Sequence, residues 1–222
     1  MLFAGGTALC LKIARFVRIP ADPTGWPVKW GFARRAYTPP VVYNSNAYET
    51  AETVSLLKNQ ADIFLPDLKY YDDKYARRFS SAPDYFAHAS RAIAKMVELA
   101  GPPAFGTDGL MRKGVIVRHL ALPGMAEDSR HLLAWLQNNF GDSIYISLMN
   151  QYTPLYQTVS YREVNRRLTS LEYKKLIAYA QDLGITNCFI QEGRTASCEF
   201  VPDFDGSGAV PAGGSGYPEE RS

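Results

Sequence analysis

Five short runs of β-branched and aromatic residues each end in side chains able to hold charge or hydrogen bonds. These ends are Asn44, Ser45 and Asn46; Asp67 and Lys69; Arg118 and His119; Asn150, Gln151 and Tyr152; and Gln191 and Glu192. A carboxylate, an ammonium and a guanidinium converging with several amides suit a ligand that bears both charges, such as an amino acid or a nucleoside-linked amino acid. Each residue also has a plain structural use, because strand-terminal Asn, Asp and Ser cap the next helix or build its turn. Asn46 and Gln191 fit that use well, and Asp67 with Lys69 fits a surface ion pair. Arg118 is harder to dismiss, since it follows the apolar run Val115-Ile116-Val117 and its charge needs a ligand or a buried partner.

Metal chemistry has little support in the spacing. The three cysteines, Cys10, Cys188 and Cys198, are an odd set, and no two stand close enough for one loop to grip a metal or cluster. The three histidines, His88, His119 and His131, also lie outside His-x-x-x-His spacing. Gly5-Gly6 lacks the further glycine and the flanking strand of a phosphate-binding turn.

The elements that must position these side chains alternate from Pro40 onward. Strand patterns at 40–43, 61–66, 114–117, 143–149 and 188–190 are separated by helix patterns at about 50–58, 72–79, 84–100, 127–140 and from 169 onward. Gly101, Gly141 and Gly184 mark helix ends, and Thr169 with Glu172 forms a capping box. Residues 101–112, with two prolines and three glycines, read as a loop. Continuous apolar strands separated by helices indicate a parallel sheet covered by helices, so the class is α/β. Doubly wound sheets and barrels share this pattern, and both place ligands past the carboxyl ends of the strands.

The 222 residues are 46% hydrophobic and 21% charged, enough for one core. With 24 Lys+Arg against 22 Asp+Glu the net charge is +2, and the basic pairs are scattered, so no nucleic-acid partner is indicated. No segment has the apolar length of a membrane span, and Lys12 and Arg15 interrupt the apolar start without a cleavage site after them. The expectation is a cytoplasmic protein with no membrane partner. Residues 1–32 fit neither the repeat nor a linker, and residues 205–222, rich in glycine, read as a disordered tail.

The run PVVYNSNAYE at 40–49 followed by ADIFLPDLKY at 61–70 resembles radical S-adenosylmethionine (radical SAM) proteins, in the branch described as similar to pyruvate formate-lyase activating enzymes. Further blocks follow in order: Asn59, SAPDYF at 81–86, GVIVRHLALPG at 114–124, YISLMNQYTP at 145–154 and FIQEG at 189–193. The resemblance runs over residues 33–204. It implies an incomplete (β/α) barrel with outer helices, here with about four to five parallel strands. It also implies S-adenosylmethionine as cofactor, beside a 4Fe-4S cluster held by Cys-x3-Cys-x2-Cys. Reductive cleavage then gives a 5′-deoxyadenosyl radical that takes hydrogen from a glycine of a protein substrate, with a one-electron donor feeding the cluster. Asp67 and Lys69 resemble the family's Asp-x-Lys cofactor motif, and Arg118 its strand-end arginine. Asn44, Ser45 and Asn46 stand where relatives show Asp-Thr-Asn, and Asn150 and Tyr152 where a strand end meets adenosine.

The cysteine triplet is missing from the amino-terminal side of the match, where Cys10 stands alone. One cysteine cannot replace three thiolates, so the chain is not expected to hold the cluster in the family's way. No catalytic or metal-ligating residue is assigned. The chain then reads as the carboxyl-terminal part of such an enzyme, inactive alone and with an open sheet edge, or as a cluster-free module that binds a small ligand or a protein on the same fold. An unrelated hydrolase or transferase lacks support, since there is no Gly-x-Ser-x-Gly elbow or P-loop.

Overall fold

The computed structural model describes residues 16–17, 40–154 and 160–191. Strands and helices alternate as β1 (Phe16–Val17), β2 (Val42–Ser45), α1 (Ala51–Ser55), β3 (Ile63–Pro66), α2 (Asp73–Ser80) and α3 (Tyr85–Ala100). Then come β4 (Ala104–Phe105), β5 (Met111–Leu120), α4 (Ala126–Phe140), β6 (Tyr145–Met149), α5 (Ser170–Asp182) and β7 (Cys188–Ile190). The sheet runs β1-β2-β3-β5-β6-β7 with every neighbouring pair parallel, and β4 pairs antiparallel with β5 outside that path. A doubly wound sheet reverses direction part-way through its strand order, whereas this sheet advances one way, the winding of a (β/α) barrel. The fold is α/β: an open parallel sheet with its helices on one side.

Alternation along the strands creates two faces with different company. Tyr43, Phe64, Val115, Val117, Ile146 and Leu148 pack with residues of all five helices, including Val54, Phe79, Ile93, Leu133 and Leu176. Their neighbours Val42, Ile63, Leu65 and Ile116 form a second cluster with Met111, Tyr145 and Phe189, and among the described residues it contains no helical residue. This second, inner face has the position of a barrel interior. Since both faces of β3 and β6 are buried, apolar runs there replace the strict alternation of a half-solvated strand.

Helix starts are fixed locally. Thr50 Oγ1 accepts from Thr53 N at 3.2 Å, Asp72 Oδ1 accepts from Lys74 N at 2.9 Å, and Thr169 with Glu172 makes the expected capping box. Helix α3 starts after a left-handed Asp84 and uses a remote cap instead: Asp73 Oδ1 accepts from Tyr85 N at 3.2 Å.

Three expectations change. The loop predicted at 101–112 contains a short hairpin, in which β4 pairs with the start of a β5 longer than its apolar run. Gly114 makes that packing possible: its φ is +136°, and a Cβ there would lie 3.1 Å from Pro103 Cα. Among the described residues the sheet has six parallel strands against the about four to five expected, the added one being Phe16 and Val17, which pair with Val42 and Tyr43 at the edge of β2. Part of the 1–32 leader therefore joins the sheet. Cys10, Gly5-Gly6, Glu192, Cys198 and the tail at 205–222 lie outside the described residues.

Candidate functional site at the carboxyl rim

Parallel register brings three of the expected residues to one layer. Asn44 and Ser45 in β2 pair with Leu65 and Pro66 in β3, and the next β3-side residue, Asp67, bridges Arg118 of β5. The ladder continues through Asp67 N to Ser45 O and Leu68 N to Arg118 O, each at 2.8 Å. By the two-residue period Asn44, Asp67 and Arg118 follow Val42, Leu65 and Ile116, so all three project on the inner face. Ser147 of β6, opposite Arg118 in register, belongs to the same layer and is buried.

The guanidinium of Arg118 is the centre of this layer. Its side chain is 6% exposed, and Nη2 lies 2.6 Å from Asp67 Oδ1 while donating to Asn44 Oδ1 at 2.6 Å. Asp67 therefore pairs with a buried guanidinium, its own side chain being 22% exposed. Lys69 stands just beyond, and burial beside Arg118 draws its ammonium below the usual lysine range against the raising effect of Asp67.

The main chain that presents Asp67 and Lys69 is held from behind by buried groups. Tyr85 Oη accepts from Lys69 N at 3.0 Å and lies 2.8 Å from Asp67 O and 3.2 Å from Asn46 O, tying the ends of β2 and β3 to the first turn of α3. Burial carries this phenol far above its ordinary range, so it stays protonated. His119 faces the helices, with Nδ1 2.8 Å from Leu68 O and Nε2 2.9 Å from Ser129 Oγ. Burial lowers its pKa and keeps the imidazole neutral. Asp128 of α4 accepts from Tyr71 N at 2.9 Å and Asp72 N at 2.8 Å, which fixes the exit of the same loop.

The remaining expected residues do not join the layer. Ser45 is on the helix side, where its hydroxyl accepts from Ala47 N at 2.8 Å and donates to Glu49. Asn46 closes its own turn, Oδ1 accepting from Tyr48 N at 3.0 Å. Asn150 is joined through its main chain to Gln191 Oε1 at 3.3 Å, at the β6–β7 end of the rim. Tyr152 is 3% exposed, packs in the helix-side core, and donates to Val164 O at 2.8 Å. The turn Asn150-Gln151-Tyr152 sends its tyrosine inward, a direction that strand-end position alone does not give.

Sequence reasoning missed Tyr85, Asp128, Ser147 and Glu49. Tyr85 lies in the SAPDYF block, and the alternation of Arg118 and His119 was a readable signal that one faces the ligand side and the other the helices. The hydroxyl bonds themselves needed tertiary structure.

Among the described residues, no group of three or more His, Cys, Asp or Glu is placed to hold a metal ion. Cys188 packs with the helix-side core, and burial pushes its thiol up to about 11. A cluster therefore has no fit among these residues. The rim does fit the donor set of a zwitterionic amino-acid group, since it offers a carboxylate, an ammonium and a guanidinium at one place.

No family model matches the chain. It is 32% identical over 143 residues, 64% of its length, to an uncharacterized protein of Methanocaldococcus jannaschii, and spans 38% of that relative. A solved domain of pyruvate-formate lyase-activating enzyme from Bacteroides vulgatus superposes with a TM-score of 0.47 and 15% identity, covering 69% of this chain and 82% of that one. Among the described residues, no helix is long and apolar enough to cross a membrane.

Proposed function

We propose that the rim binds S-adenosylmethionine by its methionyl end, as the resemblance to radical SAM proteins of the activating-enzyme branch implies. The observation that carries this reading is the convergence of Asn44, Asp67 and Arg118 on three adjacent parallel strands, with Lys69 anchored directly beyond. Lys69 and Arg118 receive the carboxylate, and Asp67 receives the ammonium. Tyr85 and His119 orient the loop, and burial favours the neutral form of each. In this family the reduced cluster and S-adenosylmethionine together supply a 5′-deoxyadenosyl radical, which takes hydrogen from a glycine of a partner protein.

On this reading the chain is the carboxyl-terminal, cofactor-binding part of such an enzyme. The thiolates of a 4Fe-4S cluster and the one-electron donor come from beyond its described residues, and the chain alone does not cleave the cofactor. The helix-side position of Cys188 favours a second reading, a cluster-free module binding a small ligand or a protein at the same rim.

Equilibrium dialysis with S-adenosylmethionine tests the reading. Binding near 1 mM or tighter, about 4 kcal/mol, is expected without iron, weakened at least about tenfold in Lys69→Met and Arg118→Met. Equal binding by both variants, or none by the intact chain at that concentration, refutes it.

A further inference from the structure

The inner face changes from apolar to polar at the same step on four neighbouring strands. Asn44, Asp67, Arg118 and Ser147 each follow, two residues on, an apolar inner-face residue: Val42, Leu65, Ile116 and Tyr145. Ser147 is the member of this layer that β6 contributes, in a strand that otherwise reads Tyr-Ile-x-Leu-Met. Register sets it opposite Arg118 of β5 on one side and Phe189 of β7 on the other. Its chain neighbours Ile146 and Leu148 pack with the helices, so its hydroxyl is turned to the inner face.

Among the described residues the buried polar side chains are Arg118, His119, Asp128, Ser129 and Ser147. The first four hold hydrogen bonds in place: Arg118 to Asn44, His119 to Leu68 O and Ser129, and Asp128 to Tyr71 N and Asp72 N. Ser147 is 1% exposed, and its hydroxyl bonds to no other described residue. Burying a hydroxyl in this way costs free energy that an alanine at the same strand position would avoid.

We infer that Ser147 is a further ligand-binding residue, whose hydroxyl donates to the same carboxylate that Arg118 receives. The inference rests on the ligand reading above and deepens it. Donors on two adjacent strands, opposite each other in register, converge on one acceptor, and a carboxylate has the oxygens to accept from both. Beside Ser147 the rings of Tyr145 and Phe189 stack with centroids 5.2 Å apart, an apolar surrounding in which a bond to a charged group counts for more than in water.

The experiment compares S-adenosylmethionine with decarboxylated S-adenosylmethionine, which lacks only the carboxylate, by equilibrium dialysis on the full chain and on Ser147→Ala. S147A should bind S-adenosylmethionine about tenfold more weakly, the loss expected of one hydrogen bond to a charged group, and should bind the decarboxylated compound as the intact chain does. Unchanged binding of S-adenosylmethionine, or an equal loss for both compounds, overturns the inference. If the intact chain binds neither compound, the S-adenosyl reading fails and this inference with it, whereas binding that S147A retains in full overturns the inference alone.

Urea unfolding of the ligand-free proteins is a second measurement, independent of any nucleoside. A hydroxyl kept for a ligand leaves S147A as stable as the intact chain or more so. A clear fall in the urea midpoint would show the hydroxyl bonded within the protein and overturns the inference.

Discussion

The buried pair of Arg118 and Asp67 is asymmetric, and that asymmetry can be measured. The arginine side chain is 6% exposed and the aspartate 22% exposed. At an effective dielectric of about 20, opposite unit charges about 4 Å apart attract by about 4 kcal/mol, much of it offset by the cost of removing each from water. Asp67→Ala removes the carboxylate beside a guanidinium that water barely reaches, and should cost about 3–5 kcal/mol of stability. Arg118→Met leaves a carboxylate that water still touches, and its long apolar side chain fills the space beside Ile116, so about 1–3 kcal/mol is expected. The double variant should cost less than the sum, giving a coupling of about 2–3 kcal/mol. Urea unfolding of the four proteins supplies all the values, and Lys95–Glu98 on α3, with its glutamate 66% exposed, should couple by only about 0.3 kcal/mol. A coupling below about 0.5 kcal/mol for Arg118–Asp67, or a greater loss from R118M than from D67A, would refute the reasoning.

Tyr85→Phe removes the hydroxyl shared by Lys69 N and Asp67 O; urea unfolding should show a loss of about 1–3 kcal/mol, and dialysis a weaker S-adenosylmethionine affinity. Burial holds His119 below its ordinary value, so the unfolded chain takes up that proton first and stability should fall as pH drops below about 6.5, by an amount that stops growing once the folded imidazole titrates. His119→Gln should flatten that slope, and the His119 ring signals should remain those of a neutral imidazole at pH 6 in the intact protein. Cys188, with its thiol pushed up to about 11, should alkylate at pH 8 about two orders of magnitude more slowly than a free cysteine, as read by peptide mass mapping; a normal rate would show the strand to be open.

Much of the fold was legible because its signals are local. The apolar runs at 61–66 and 143–149 could be strands buried on both faces, and Thr169 with Glu172 could be a helix start, without knowledge of any distant residue. The hairpin at 104–113 was not legible: glycine and proline dominate its composition, and its pairing with β5 depends on Gly114 passing close to Pro103. Within the site, residue type selected Asp67, Lys69 and Arg118. The inward direction of Tyr152 was not legible, because strand-end position says nothing of which way a turn sends its side chain.

The sequence by itself determined the alternation of strand and helix, the helix caps, and which residues stand at strand ends. These depend on backbone sterics, side-chain period and bonds spanning a few positions. Tertiary structure decided that strand order advances one way, that Arg118 faces the inner layer while His119 faces the helices, and that Asp67 pairs with Arg118. Those outcomes depend on register between strands far apart in the chain, where a shift of one residue would send every side chain to the opposite face.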